Sequence, residues 1–299
     1  MDRFQQMQVF TAVAEEQGFA PAARRLQMSP PVVSRAIAAL EERLGVKLLQ
    51  RTTRSVRTTE AGKRYLEDSK RILDDMAVAD EAAAGINVAP RGKLAITAPV
   101  LFGRLFVMPS IVEYLETYPD VAVEAVFLDR VVNLLEEGLD VGIRIGELAD
   151  SSMRALKVGT IRRVTVASPA YLKQAGIPLT PEDLKDHAVI SSTAGSGTTG
   201  WHFHSPEGAI SPRLQPRLSC STNDAAIEAA AQSLGVTNVL SYQVAKELRA
   251  GSLQIVLEQF ETPPRPIHIV HREDRFSSSK VRSFIDLLAE RLRANTALN

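Results

Sequence analysis

Cysteine is nearly missing from this chain of 299 residues: Cys220 stands alone, so no disulfide can close within it and a two-cysteine redox switch is excluded. Long apolar runs are missing too. No stretch nears the ~20 residues that span a bilayer, and the N-terminus lacks the basic-then-apolar order of a secretion signal, so no membrane partner is expected and the cytoplasm is the expected location. Charge of one sign is not in excess, with 35 basic against 35 acidic residues. Motifs for chemistry are scarce as well. Neither GxSxG nor HExxH occurs, and STAGSGTTG (residues 192–200) has no lysine after its glycines and is not a Walker loop. Hydrolysis and nucleotide binding are therefore not expected, no cofactor is assigned, and the chain reads as a non-enzyme. There is no short-period repeat and no low-complexity segment.

The length allows two or three domains of about 100 to 200 residues each. The zero net charge hides an asymmetry. Arg24, Arg25, Arg35, Arg43, Lys47, Arg51, Arg54 and Arg57 face only Glu41 and Glu42 in the same stretch, a local charge of plus six, as expected of a DNA-reading module joined to a neutral one. Residues 4–16 read as a first helix, with Phe10, Val13 and Ala14 at helical spacing and Gly18 as its stop. A short helix at about 21–26 follows. The third starts at Ser29, whose hydroxyl is expected to cap a first-turn amide, with Pro30 at the first helical position. Val33, Ile37, Leu40 and Leu44 make its buried stripe, and Gly45 supplies a left-handed stop. Another face carries Pro31, Ser34, Arg35 and Ala38, short side chains with one guanidinium, suited to approach base edges. Ser29, Pro30, Pro31, Ser34, Arg35 and Ala38 are thus expected DNA contacts. Residues 46–49 and 55–58 can pair as a wing, whose tip places Arg51, Thr53 and Arg54 against phosphates or a minor groove.

Thr59 and Glu60 open a long helix expected to reach about residue 86. Tyr65, Ser69, Ile72, Met76, Ala79, Ala83 and Ile86 recur at alternating steps of four and three, a heptad seam over about three repeats. A span near 42 Å at about 1.5 Å per residue exceeds a small domain, so a second copy of the chain is the expected partner. NVAPRG (87–92) ends the helix in a linker. From residue 93 a βαβ rhythm takes over, with strands at 93–98, 121–128 and 141–145 and helices at 102–117 and 131–137. A second set has strands at 162–167, 188–191, 217–221, 236–240 and 253–257, with helices near 169–174, 224–233 and 244–249. A strand at 267–271 and a helix at 278–293, with Val281, Phe284, Ile285, Leu288 and Leu292 on one stripe, close the chain. Two α/β units built on parallel sheets are expected.

The chain resembles the LysR-type transcriptional regulators, a bacterial family, over its whole length. The likeness rests on FTAVAEEQGFAPAARRLQMSPPVVSRAIAALEERLGVKLLQRTTRSVRTTEAG (10–62), in which AARRL, SPPVVSRAI, LEERLGVKLLQR and TEAG stand at the family's spacing. TAPVLFGRLFVMP, the YP before a strand, GLDVGIRIG and SPAYL carry it more weakly. The resemblance implies an α/β fold with an all-α winged helix-turn-helix domain at the N-terminus (1–58), a linker helix that forms dimers (59–90), and a two-lobed effector domain like a periplasmic binding protein (91–299). By the same resemblance, lobe I takes 91–161 and 267–299, and lobe II takes 162–266. Three positions depart from the family pattern. Ala20 replaces a Ser or Thr that caps the second helix, at a cost of order ~1 kcal/mol that Pro21 partly offsets; Leu49 replaces a common phenylalanine; Thr58 replaces a common apolar residue. The implied function is a transcriptional regulator whose two-fold dimer, joined through 59–86, sets two reader helices on a palindromic promoter site in double-stranded DNA. A homotetramer and contact with RNA polymerase are compatible with it, and a small-molecule effector is expected to modulate the binding.

In two-lobed α/β binders the ligand lies at strand ends between the lobes. That places Thr97, Pro99, Val100, Leu101 and Phe102 after the first strand, Leu128, Asp129 and Arg130 after the next, and Gly146 after the third. From the second lobe come Thr193, Ser196, Thr198, Thr222, Asn223, Thr237 and Asn238. Arg130 and Arg144 are candidates for an anionic effector, with the alternative that each is a surface or paired arginine. His202 and His204 share one face of WHFH, an incomplete zinc set unless His187 or a carboxylate joins them, so no metal ligand is assigned. Two alternatives stay open: a metal-responsive regulator and, further off, an enzyme with an appended DNA-binding domain. Cys220, in LSCST, reads as a small buried residue rather than a nucleophile.

Overall fold

Helix α1 (Arg3–Glu15) is held at its start by a capping box: the Asp2 carboxylate accepts from the Gln5 amide at 2.8 Å, and the Gln5 side-chain oxygen accepts from the Asp2 amide. Its stop is not Gly18. Gln17 takes left-handed backbone, φ 50°, and Gly18 becomes the N-cap of α2 (Phe19–Arg25). The missing capping oxygen thus belongs to Gly18, where glycine is tolerated, and Ala20 sits inside the helix. Gln27, at φ 55°, turns the chain into α3 (Pro30–Leu44). Ser29 is the N-cap of α3, yet its hydroxyl caps nothing. Pro30 and Pro31 have no N–H to offer, and the amides of Val32 and Val33 donate to the Ser29 carbonyl at 3.0 and 3.2 Å. Val33, Ile37 and Leu40 are buried, Leu44 half-buried, and Gly45 closes the helix at φ 67°.

The wing pairs β1 (Leu49–Arg51) antiparallel with β2 (Val56–Thr58), Leu49 opposite Thr58. The first strand begins later than the pattern predicts because the chain before it is captured by a side chain. Buried Glu41 accepts from the amides of Leu48 and Leu49, at 2.9 and 3.1 Å, and from Lys47 Nζ at 2.6 Å. Thr59 opens α4 (Glu60–Ala83): its hydroxyl donates to the Lys47 carbonyl at 2.7 Å and accepts from the Gly62 amide at 2.9 Å. The first half of the expected seam is filled by the chain's own α1. Tyr65 packs on Phe10 with ring centroids 5.4 Å apart, Ser69 is fully buried, and Lys70 pairs with Glu15 at 2.7 Å. Further along, Met76 is exposed.

The computed structural model describes residues 1–51, 56–83, 89–148, 153–194, 200–272 and 278–298 and divides the chain into two units, Met1–Val88 and Ala89–Asn299. Ile86, and the side chains of Ala79 and Ala83, lie outside the described residues. In the second unit β3 (Gly92–Ala98), a helix α5 over 100–117 that widens to a π turn at Gly103–Val107, β4 (Val121–Phe127), β5 (Val141–Ile145) and β6 (Met153–Ile161) come first. After them come β7 (Arg163–Ala167), α6 (Pro169–Ala175), β8 (Val189–Ser192), the small hairpin β9 (Phe203–Ser205) and β10 (Gly208–Ile210), and β11 (Pro216–Cys220). The chain then runs through α7 (Asn223–Ala231), β12 (Val236–Leu240), α8 (Ala245–Ala250), β13 (Gln254–Val256), β14 (Arg265–Arg272) and α9 (Ser279–Ala294).

Two five-stranded sheets result, ordered β4-β3-β5-β14-β6 and β11-β8-β12-β7-β13. Both are mixed, where parallel sheets are expected from the rhythm. β3 runs parallel to β4 and β5, and β8 to β11 and β12, while β14 is antiparallel to β5 and β6, and β7 to β12 and β13. The antiparallel members flank the two crossings of the chain between sheets. β6 was not expected, and its burial does not alternate. The helix expected at 131–137 is a single turn. Gly138 closes it at φ 66°, the Asn133 side chain accepts from the Leu135 amide, and Arg144 Nη2 takes the Val132 carbonyl at 2.7 Å, so side chains hold groups a helix would need. In the first lobe fully buried Tyr114 ties α5 to α9, its hydroxyl donating to the Lys280 carbonyl at 2.7 Å and its ring edge-on to Phe284. Among the described residues no helix is long and apolar enough to cross a membrane.

Candidate functional site

On α3, Ser29, Pro30, Pro31, Arg35 and Ala38 are exposed and Ser34 is half-buried, so the face turned away from the core stripe is open. Arg35 Nε donates to the Pro31 carbonyl at 3.4 Å, which lays the side chain back along the helix. Arg51 lies in β1 with its side chain outside the described residues, and Thr53 and Arg54 lie outside them altogether. The basic patch is smaller than its count. Arg25 is held by Glu15 at 2.7 Å and Glu16 at 3.4 Å, and Lys47 by Glu41. Arg24, Arg35, Arg43 and Arg57 are exposed. Burial pushes the Glu41 carboxyl up, but the Lys47 ammonium and the amides of Leu49 and Leu48 outweigh that and hold it below its ordinary range.

In the second unit the two crossings of the chain are clasped together. Arg162 donates to Glu261 through Nε and Nη2, at 2.8 and 2.7 Å, and to Glu258 at 2.6 Å; the bonds to Glu261 above all raise its pKa further. Tyr242 follows β12 of the second sheet, yet it is buried in the core of the first lobe. It stands edge-on to Phe102 and Phe106, at 5.4 and 5.6 Å. Burial drives its phenol well above the ordinary tyrosine range, against a hydrogen bond from Gln243.

A cavity of about 180 Å³ lies between the sheets, at the carboxyl ends of β3, β4, β8 and β12. Pro99, Leu128, Ile143, Val239 and Trp201 give it apolar wall, and Arg130, Arg144, Arg163 and Arg265 bring positive charge against one carboxylate, Asp129. Arg130 is taken by Glu137 through two bonds, at 2.7 and 3.0 Å. Arg144 is turned to the carbonyls of Val132 and Ile143, and burial lowers its pKa. Arg163 Nη1 reaches Asn238, whose side-chain oxygen is at 3.2 Å, while its buried Nε has no hydrogen-bond partner. Burial, with the charge of Arg265 beside it, pulls the Arg163 pKa down to about 10, so it is still a cation at neutral pH.

Of the expected effector residues, Pro99, Leu128, Asp129, Arg130, Arg144, Asn223 and Asn238 line this cavity. Thr97 and Thr237 are buried inside the sheets, Thr237 donating to the Ile190 carbonyl at 3.0 Å. Leu101 and Phe102 belong to the core of the first lobe. Val100 is exposed, with its amide on Asp129. Gly146 makes a turn at φ 116°, donating to the Pro266 carbonyl, and Thr193 is exposed and donates to the Cys220 carbonyl. Thr222 is the N-cap of α7, away from the lining; Ser196 and Thr198 lie outside the described residues. Three lining residues were not among the expected ones: Arg163 and Arg265, because β7 and β14 run against their neighbours and bring their first residues to the carboxyl ends of the other strands, and Tyr242, two residues past the end of β12.

Among the described residues the other candidates do not assemble a chemical site. Gly195, Gly197 and Gly200 have GxGxxG spacing, but the chain leads from them into β9, where a dinucleotide site needs a helix N-terminus. His202 and His204 are both exposed, His202 beside Ser211 Oγ at 2.8 Å, and His187 is held by the Tyr171 hydroxyl. Among the described residues no three His, Cys, Asp or Glu side chains are gathered to hold a metal ion. Cys220 is half-buried in β11.

A model described as the LysR substrate binding domain matches residues 88–293, and one described as the bacterial regulatory helix-turn-helix protein, lysR family, matches residues 4–63. The HTH-type transcriptional activator AaeR of Escherichia coli is 33% identical over 292 residues, 97% of this chain and 94% of that protein. The solved structure of CrgA, a LysR-type regulator from Neisseria meningitidis, superposes with a TM-score of 0.62 at 29% identity, over 97% of this chain and 99% of that one. Full-length AphB, a virulence activator of Vibrio cholerae, does so with a TM-score of 0.62 at 26% identity, over 97% and 99%. These relatives are regulators, not enzymes.

Proposed function

The chain belongs to the LysR family of transcriptional regulators, with a helix-turn-helix domain and an effector-binding domain, and from that premise we propose that it reads a specific promoter site under control of a small molecule in the interlobe cavity. The observation that carries the DNA half is the open face of α3, where Arg35 is the one long side chain among Ser29, Pro30, Pro31, Ser34 and Ala38. Arg35 reaches base edges or adjacent phosphates, while Arg51, Thr53 and Arg54 bind the flanking backbone from the wing. We divide the chain at 58/59 and 90/91, the linker helix pairing two copies through its later half and setting their readers on a palindrome. A tetramer and contact with RNA polymerase follow the same plan, and a cytoplasmic location fits it.

Titrating a palindrome from the protein's own promoter region, at fixed salt, tests this. Arg35→Ala is expected to weaken binding by about 1–3 kcal/mol, roughly ten- to hundredfold, and to relax preference at one base position. Arg57→Ala should weaken all sequences alike and lower the salt slope by about one. Unchanged affinity in Arg35→Ala removes the reader assignment. For the effector half, the Arg162 clasp marks the hinge about which the lobes close, and a ligand acts by binding the closed arrangement more tightly than the open one. A footprint that no small molecule alters ends that part of the reading.

A further inference from the structure

Resting on the reading of the cavity as the effector site, we propose that its ligand is a small organic carboxylate, with the anionic end on Arg163 and Arg265 and a single-ring-sized apolar body beside Leu128, Trp201 and Tyr242. Among the described residues, no carboxylate pairs with Arg163 or Arg265. Arg163 has instead the amide oxygen of Asn238, a buried Nε without a partner, and a like charge beside it. A buried guanidinium in that state is costly, because desolvation is not repaid by an opposite charge. An anion placed there gains the attraction and relieves the repulsion between the two arginines. The other positive groups of the lining are already occupied, Arg130 by Glu137 and Arg144 by backbone carbonyls.

The planar guanidinium fork takes a carboxylate, as it takes a phosphate, through two parallel bonds, and the single charge of a carboxylate is the smaller load to desolvate in a partly apolar cavity. It is organic because Leu128, Trp201 and Tyr242 also line the cavity, apolar surface that an inorganic ion leaves unused. It is small because the cavity measures about 180 Å³, and an apolar cavity of about 150 Å³ accommodates benzene.

Calorimetry and melting of the full-length protein with benzoate, 2-methylbutanoate and pyruvate, each beside its amide, and with inorganic phosphate, test this. The expected result is that at least one acid binds and raises the melting temperature, with its amide and phosphate at least about tenfold weaker. Arg163→Gln and Arg265→Gln should each weaken that acid by about tenfold or more. Without ligand, Arg163→Gln should melt at or above the wild-type temperature, the opposite of what a structural arginine does. If no acid binds more tightly than its amide, or phosphate matches the best acid, the proposal is overturned. A neutral or cationic compound that binds and is indifferent to Arg163→Gln also overturns the anion assignment while leaving the effector reading intact. Loss of every ligand effect, on melting and on the promoter footprint, overturns both.

Discussion

Gly62→Ala is expected to destabilise the N-terminal unit by about 2–3 kcal/mol, although alanine is the better helix former by about 1 kcal/mol. A Cβ on Gly62 would stand 2.0 Å from the Leu48 carbonyl oxygen and 2.9 Å from its carbon, both backbone atoms. Leu48 cannot retreat. Its amide is held by Glu41 and its carbonyl accepts from the Thr59 amide at 2.9 Å. The clash therefore outweighs the propensity gain, and the glycine of TEAG is where α4 crosses the base of the wing. Chemical denaturation measures the loss, and weaker promoter binding should accompany it because the wing loses its footing. A variant as stable as wild type removes the close approach from the account.

Glu41→Ala is expected to cost about 2–4 kcal/mol, since it strips the acceptor from two backbone amides, at about 1–3 kcal/mol for each buried group left unpaired. The effect is also pH-dependent, with a defined sign. The folded carboxyl titrates below its ordinary value, so its stabilisation is complete above the unfolded value of about 4.3 and is lost as pH falls through the lower folded value. Denaturation of wild type and Glu41→Gln should therefore differ most near neutrality and converge below about pH 4. A gap that stays constant from pH 7 to pH 3 contradicts this role.

Both predictions concern residues whose part was not legible in the sequence. Glu41 counts there as one of two acids in a basic stretch and Gly62 as one letter of a motif; each acquires its function from a carbonyl or amide that the fold brings beside it. The seam of α4 shows the same limit. Its four-three spacing marks an apolar stripe, but not which surface covers it, and α1 covers the part at Tyr65 and Ser69. In the second unit strand positions were largely readable, while β6 and the turn at 131–137 were not, because edge exposure blurs one pattern and side chains capture the backbone in the other.

By itself the sequence determined the helix-turn-helix unit: the start at Ser29 and Pro30, the stripe Val33, Ile37, Leu40 and the stop at Gly45 are local signals, readable because a helix is made of contacts three and four residues apart. It also determined that two α/β units follow, and it pointed to the cleft between them. Only the tertiary structure decided which side chains meet in that cleft. Arg163 and Arg265 open two strands far apart in the chain, and the antiparallel placement of β7 and β14 brings both to the same cavity. Periodicity records which face of a strand is buried; it carries no record of which distant strand end lies opposite.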